Sequence, residues 1–262
     1  MTAKRKDADS FEENSQRRSA EKAVSLAPTS GQAYGALARV LWSTTLDGAA
    51  IDAALQRGLT LDPGNSDILM AYARIAPGLG RADALNAAER AVTLNPLDST
   101  AHVDRGLVLY FLRRHQEARA SLLEALRLGD NVVSRLWAAA NEISMGNPAA
   151  AVRYSEQDRE TLYGQQNLAI AYYQLGRKKD AHAVLNRITA EHGDSAAYLY
   201  ATIFAQWGQP ERALEWLATA FRLREGDLDI IVDPKLDPIR GTPQFQEIVR
   251  RLHLPNAGGE TQ

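Results

Sequence analysis

Apolar and small residues recur along the chain with the spacing of short amphipathic helices. The clearest stretch runs from about Ser99 to Val132, where Leu109 and Tyr110 follow Gly106 on one predicted helix. After a polar turn, Leu122 and later apolar residues fall at helical spacing on a second helix. Apolar residues three or four positions apart share one face of a helix, so this stretch predicts two helices that pack against each other.

The same pattern repeats at a near-constant interval, and a leucine closes each unit. These leucines lie 35, 33 and 34 residues apart, in Leu26-Ala27-Pro28, Leu61-Asp62-Pro63, Leu94-Asn95-Pro96 and Leu128-Gly129-Asp130. A period of about 34 residues is typical of stacked helix-turn-helix units. Between residues 31 and 226 the pattern predicts six helix pairs, which start near Gly31, Ser66, Ser99, Val133, Leu162 and Asp194.

Small residues mark the predicted helix crossings and turns. The second helices each place an alanine at the crossing, namely Ala50, Ala84, Ala118, Ala181 and Ala213, and Gly80, Gly176 and Gly208 stand in turns. On these motifs the chain resembles the tetratricopeptide repeat family over roughly Glu21 to Arg224. The resemblance implies an all-α fold, a right-handed α-solenoid of about six helix pairs with terminal capping helices. The fourth unit lacks the closing leucine, so we expect an irregular turn from Ser155 to Thr161.

The N-terminal end departs from the repeat. Residues 1–10 are strongly charged and predict a disordered tail, and residues 11–28 predict a single helix. That helix corresponds to the second half of a repeat without a first half. End repeats of solenoids normally need a polar outer face, whereas the apolar face of this helix would lack a partner on one side. Two interpretations stay open: the helix is a natural N-terminal cap, or the chain is the remnant of a longer protein.

The C-terminal end predicts a segment that closes the array. Residues 227–255 contain Asp233-Pro-x-Leu-Asp-Pro-x-Arg and then Phe245, Ile248, Val249 and Leu252 on one helical stripe. This segment is similar to the closing segment of bacterial tetratricopeptide arrays fused behind class III nucleotide cyclase, winged-helix or kinase domains. By that resemblance, the chain looks like a regulatory or sensor module of a signalling protein without its partner domain. Residues 256–262 predict a disordered tail.

Composition offers little sign of chemistry. The net charge is −2, there is no cysteine, and the five histidines have no metal-ligand spacing. Asp227, Asp229, Asp233 and Asp237 lack the glycine and terminal glutamate of a calcium loop, and they predict aspartate-capped turns instead. We therefore expect no enzyme activity, no cofactor, no metal and no nucleic-acid partner. No run of about 18 apolar residues predicts a membrane span, and a cytoplasmic location is the default expectation.

The expected function is binding of a protein or peptide on the concave face lined by the first helices. Aromatic side chains give contact area, amides bond an extended backbone, and arginine pairs with a carboxylate. The predicted groove residues are Gln32, Arg39, Trp42, Asp67, Arg74, Tyr110, Phe111, Trp137, Asn141, Gln166, Tyr173, Tyr198 and Gln206. The lysine and asparagine clamp that some relatives use for chaperone tails is not matched. Self-association through the N-terminal half-repeat is a further expectation.

Overall fold

The chain folds into α-helices joined by short turns. The computed structural model describes residues 3–45, 47–223 and 231–251, with side chains from residue 15 onward. Within these ranges there is no β-strand. The predicted all-α class is therefore confirmed.

The six predicted helix pairs are present, and their starts agree with the sequence to within a few residues. A single helix, α1 (Ala3–Leu26), precedes them. The pairs are α2 (Gly31–Thr44) with α3 (Gly48–Leu61), α4 (Ser66–Ile75) with α5 (Ala84–Leu94), α6 (Ser99–Phe111) with α7 (His115–Leu128), α8 (Val132–Ser144) with α9 (Pro148–Ser155), α10 (Leu162–Gln174) with α11 (Lys178–His192), and α12 (Ala197–Gln206) with α13 (Pro210–Leu223).

Two compact units divide the described residues. Unit 1 comprises residues 3–95 and contains α1 to α5, in which α2 packs against α1, α3 and α4. Unit 2 comprises residues 96–251 and contains the remaining four pairs. In unit 2 the first helices α6, α8, α10 and α12 pack side by side in that order, and each packs against the second helix of its own pair. A short 3-10 turn (Pro234–Leu236) and two helices, α14 (Asp237–Arg240) and α15 (Pro243–Arg251), follow the last pair.

Side-chain caps fix where the first helices of five pairs begin, all except α12. The residue before each of these five helices accepts a hydrogen bond from a backbone N–H of the first turn, as Ser30 does from Ala33 and Asn131 does from Ser134. Asn65, Asp98 and Thr161 cap α4, α6 and α10 in the same way. Each cap is typically worth about 1 kcal/mol, because the N–H groups of the first turn have no partner within the helix.

Small residues lie where the helices of a pair cross, as the pattern predicted. A Cβ on Gly106 would stand 2.6 Å from Cγ of Leu122 on the facing helix, so only glycine allows this approach. Ala84, Ala118, Ala181 and Ala213 are buried at the other crossings. The prediction for Ala50 was wrong, because Asp47 caps α3 and sets the register so that Ile51, fully buried, takes the crossing position.

The turns between paired helices use the left-handed backbone region. Gly80, Gly176 and Gly208 have φ of 74°, 76° and 70°, values that residues with a Cβ rarely adopt. Arg113 occupies the equivalent turn between α6 and α7 with φ of 59°. A side chain there costs about 1–2 kcal/mol relative to glycine, so a compensating contact is expected.

Two further expectations concern irregular segments. The turn expected from Ser155 to Thr161 is present as a 3-10 turn at Glu156–Asp158, and Asp158 pairs there with Arg135 at 2.8 Å. Helix α1 begins at Ala3, inside the segment predicted as a disordered tail, and the lysine, arginine and alanine residues in that segment are good helix formers.

The remaining terminal expectations lie outside the described residues. These are the start of the closing segment at residues 227–230, its end at residues 252–255 and the predicted tail at residues 256–262. In the part of the chain that the structure describes, no helix combines the length and the apolar character needed to cross a membrane.

Candidate functional site

Residues 231–251, the described part of the closing segment, contact α6 and the last helix pair, α12 and α13, of unit 2. The carboxylate of Asp233 accepts hydrogen bonds from the hydroxyls of Tyr198 at 2.8 Å and Tyr110 at 3.3 Å. It also accepts a hydrogen bond from the backbone N–H of Lys235 at 2.9 Å. This contact forms the aspartate-capped turn that the sequence predicts at Asp233. Burial and the charge of Asp233 raise the pKa of Tyr110 well above its ordinary value, so its hydroxyl stays a donor. Two predicted groove residues thus bind a segment of the same chain.

A third predicted groove residue holds the backbone of this segment. Nε2 of Gln206 donates to the carbonyl oxygen of Lys235 at 2.9 Å, the role that an amide plays toward an extended peptide. The ammonium of Lys235 lies 3.8 Å from Oδ2 of Asp233 and near the rings of Tyr110 and Trp137, at 5.8 and 5.7 Å from their centroids. The Lys235 side chain is only 6% exposed.

Arg113, which the sequence analysis did not single out, anchors the next turn of the closing segment. Its Nε donates to Oδ2 of Asp237 at 3.1 Å, and Nε of Arg240 donates to Oδ1 of the same carboxylate at 2.8 Å. Burial alone would raise the pKa of Asp237, but the hydrogen bonds and charges of the two guanidinium groups outweigh it and lower the pKa. The sequence signal was an arginine where the other turns have glycine, and this ion pair is the compensating contact.

A cavity of about 440 Å³ remains between the closing segment and the helices α8, α10 and α12. Its walls are largely apolar, and Asp233 and Lys235 form the side contributed by the closing segment. Val133 and Tyr163, which also line it, are 42% and 50% exposed, so the cavity opens to solvent beside them. The predicted groove residues Phe111, Trp137, Gln166 and Tyr198 line this cavity.

Asn167, on the wall of the cavity, ties α10 to α8. Its Nδ2 donates to the carbonyl oxygen of Leu136 at 3.1 Å. Its Oδ1 is inaccessible to solvent and has no hydrogen-bond partner among the described residues.

Some predicted groove residues serve the packing of the repeats instead. Asn141 is 1% exposed, and its amide bonds the backbone carbonyl and the ring of His115 at 3.0 Å each. The sequence predicted that Asn141 faces a ligand, whereas in the structure Ala140, one position earlier on α8, lines the cavity. Tyr173 stacks on Trp207 with ring centroids 4.6 Å apart, and Gln166 is held by Thr202.

The predicted groove residues of unit 1 are exposed or half-buried. Gln32 on α2 and Asp67 on α4 are exposed and joined by a hydrogen bond of 3.3 Å, so the two first helices present them on one face. Arg39 is exposed, and Trp42 and Arg74 are half-buried. We call the surface formed by these five residues the unit 1 face.

Comparison with known proteins supports the tetratricopeptide assignment. Residues 80–132 and 167–227 match the family model described as tetratricopeptide repeat. A search of the curated proteins found no match. Tetratricopeptide folds are typical of protein–protein interaction scaffolds.

Solved structures with similar folds include three that cover most of the chain. A chain of the Cut9–Hcn1 hetero-tetramer of the APC/C has a TM-score of 0.62 at 14% identity over 93% of this chain and 46% of that one. A tetratricopeptide repeat protein from Parabacteroides merdae has a TM-score of 0.58 at 17% identity over 94% of both chains. The pilF protein of Pseudomonas aeruginosa has a TM-score of 0.52 at 17% identity over 89% of this chain and 99% of that one. At these identities the likeness concerns the fold alone, and the expected solenoid class is confirmed.

Proposed function

We propose that the chain is a non-enzymatic scaffold that binds an exposed segment of a partner protein on the face of its first helices. The observation that carries the proposal is the closing segment on unit 2. Tyr110, Tyr198 and Gln206, all on first helices, hold a carboxylate and a backbone carbonyl of that segment. The first-helix side chains of this protein therefore have the chemistry and spacing to hold a segment of polypeptide, here a 3-10 turn.

The unit 1 face is the proposed site for the partner. It shares an amide and an aromatic ring with unit 2, at Gln32 and Trp42, and adds a carboxylate at Asp67 and a guanidinium at Arg39. An amide pairs with backbone groups, arginine pairs with a carboxylate, and tryptophan supplies most of the buried area. A single segment bound in this way typically has micromolar affinity, about −8 kcal/mol.

The test selects binding peptides and then changes the face. Peptides are selected from a random displayed library against the intact protein, and their Kd values are measured by fluorescence anisotropy. We expect Arg39→Glu and Trp42→Ala each to weaken binding at least tenfold, while Arg57→Glu, an exposed arginine on the second helix α3, leaves it unchanged. Circular dichroism establishes that the variants fold. Selected peptides that bind all variants equally would refute the assignment to this face.

A second proposal is that the chain is a regulatory or sensor module that has become separate from a signalling enzyme or transcription regulator. The support is the closing segment, whose pattern is similar to that of arrays fused behind such domains and which seals unit 2 through Leu236, Ile239 and Phe245, all buried. The genomic reading frame upstream of Met1 tests it. An in-frame cyclase or winged-helix sequence would support the proposal, whereas a stop codon followed by a ribosome site would count against it.

Self-association through α1 is proposed on one observation. Leu26, near the end of this helix, is 75% exposed. Light scattering of the intact chain and of a chain lacking residues 1–27 measures the effect. A dimer that becomes monomeric on truncation would support the proposal. If the intact and the truncated protein have the same number of chains per particle, the proposal is wrong.

A further inference from the structure

We infer that the cavity of unit 2 is a second, separate binding site that takes a small apolar carboxylic acid. This site is independent of the proposed peptide-binding face in unit 1. The inference rests on the size of the cavity, its apolar walls and the ammonium of Lys235, which pairs with Asp233 but has no hydrogen-bond acceptor among the described residues.

The size and the walls suit a small organic molecule. Ligand pockets are typically about 300–1,000 Å³ and mostly apolar, and this cavity measures about 440 Å³. The apolar side chains that line it come from α6, α8, α10 and α12, and they are Phe111, Val133, Leu136, Trp137, Leu162 and Leu199. Such walls favour a ligand with an aromatic or branched aliphatic body over a carbohydrate.

The ammonium of Lys235 selects an acid. An ammonium has three donors, yet among the described residues no acceptor lies within hydrogen-bond distance of it, and its nearest carboxylate oxygen is 3.8 Å away on Asp233. Asp233 is already satisfied by the hydroxyls of Tyr110 and Tyr198 and by a backbone N–H. A buried, incompletely bonded ammonium favours an incoming carboxylate and disfavours a cation.

One compact molecule fits these requirements better than a peptide that passes through. The closing segment forms one side of the cavity and is held there by Tyr198 on Asp233 and by Gln206 on the carbonyl of Lys235. The apolar walls and Lys235 line the same space. A ligand must therefore bring its apolar body and its acid into this space together.

The test uses N-acetyl-L-phenylalanine as the probe, with isothermal titration and thermal melting of the intact protein. We expect binding at one site per chain and an increase in the melting temperature. N-acetyl-L-phenylalaninamide lacks the carboxylate, and we expect it to bind at least tenfold more weakly, because it loses the charged contact with Lys235.

Two variants place the binding in the cavity. Lys235→Met should weaken binding of the acid at least tenfold, and should remove its advantage over the amide, whereas Lys179→Met, an exposed lysine on α11, should not. Val133→Trp should block the opening, whereas Val132→Trp, at a neighbouring position that is 39% exposed and does not line the cavity, should leave binding intact. If Lys235→Met fails to fold, the comparison of Val133→Trp with Val132→Trp shows whether the acid binds in the cavity.

Three results would overturn the inference. These are no binding of the acid at millimolar concentration, equal binding of the acid and its amide, or binding that Val133→Trp and Val132→Trp affect alike. Binding of peptides that end in phenylalanine, without binding of the free N-acetyl amino acid, would also overturn it in favour of a polypeptide ligand. None of these results bears on the unit 1 face, so failure here is distinguishable from failure of the proposed function.

Discussion

The hydroxyl of Tyr110 on α6 donates a hydrogen bond to Asp233, which lies 123 residues further along the chain. Tyr198 on α12 donates to the other oxygen of the same carboxylate. A single aspartate therefore ties the closing segment to the first and last of the four first helices in unit 2. This contact turns a stack of repeats into a unit whose inner face is partly filled by its own chain.

Replacing Asp233 should destabilise unit 2 strongly. Asp233→Ala removes the acceptor of two tyrosine hydroxyls and leaves the buried ammonium of Lys235 without its ion pair. Removing one partner of a buried pair typically costs about 3–5 kcal/mol, and urea denaturation measures the loss. Asp194→Ala, at an exposed aspartate, serves as the control. A loss no larger than that of the control would mean that the closing segment contributes little to the fold.

Variants of Arg113 separate the cost of its strained backbone from the stabilisation that its side chain gains by pairing with Asp237. Arg113→Ala loses the pair with Asp237 and keeps a Cβ at φ of 59°, whereas Arg113→Gly loses the same pair and relieves the strain. We expect the glycine variant to be more stable than the alanine variant by about 1 kcal/mol. Gly176→Ala, at φ of 76°, should show a penalty of similar size. Equal stability of the two Arg113 variants would mean that this turn adopts another backbone conformation.

Gly164 should not tolerate a methyl group. A Cβ there would lie 2.1 Å from the backbone oxygen of Asp158, so the irregular turn before α10 would have to move. Overpacking costs typically about 1–3 kcal/mol and exceeds the gain in helix propensity, and we expect Gly164→Ala to lower the free energy of unfolding by about 2 kcal/mol. The control is Gly241→Ala, where a Cβ meets nothing within 4 Å and the backbone is compatible with alanine. Similar stabilities for the two variants would argue against this close contact.

The sequence predicted the repeats well because their period reflects local packing. Positions such as Gly106 and Ala118 repeat every 34 residues or so, and each faces a neighbour that is close in the chain. Periodicity identifies the face of a helix, but not the distant segment that covers it. For this reason Tyr110 and Gln206 were predicted to meet a partner and instead meet the closing segment of the same chain.

The cavity could not be predicted for a related reason. It lies between the first helices and Lys235 of the closing segment, which are brought together only by the fold. Asn141 shows how sensitive the prediction is to register. Ala140 lines the cavity, whereas Asn141, one position along α8 and about 100° around the helix, bonds His115 of the preceding helix pair.

Asp237 should make the stability of the closing segment depend on pH. Its pKa is lowered in the folded protein because the hydrogen bonds of Arg113 and Arg240 outweigh the effect of burial. The unfolded value is about 3.9. The charged form is therefore favoured by folding, and this contribution is complete above the unfolded pKa and disappears as the pH falls through the lower folded value.

The matched variant is Asp237→Asn, compared with the native chain by urea denaturation between pH 7 and pH 3. The native chain should be more stable near neutral pH by less than about 1 kcal/mol, because the carboxylate is partly exposed and screened by solvent. The difference should shrink below about pH 4. In an Arg113→Gln background the pH-dependent part should become smaller, since one of the two guanidinium groups that lower the pKa is gone. A difference that stays constant over this range, or grows in acid, would contradict the role assigned to these arginines.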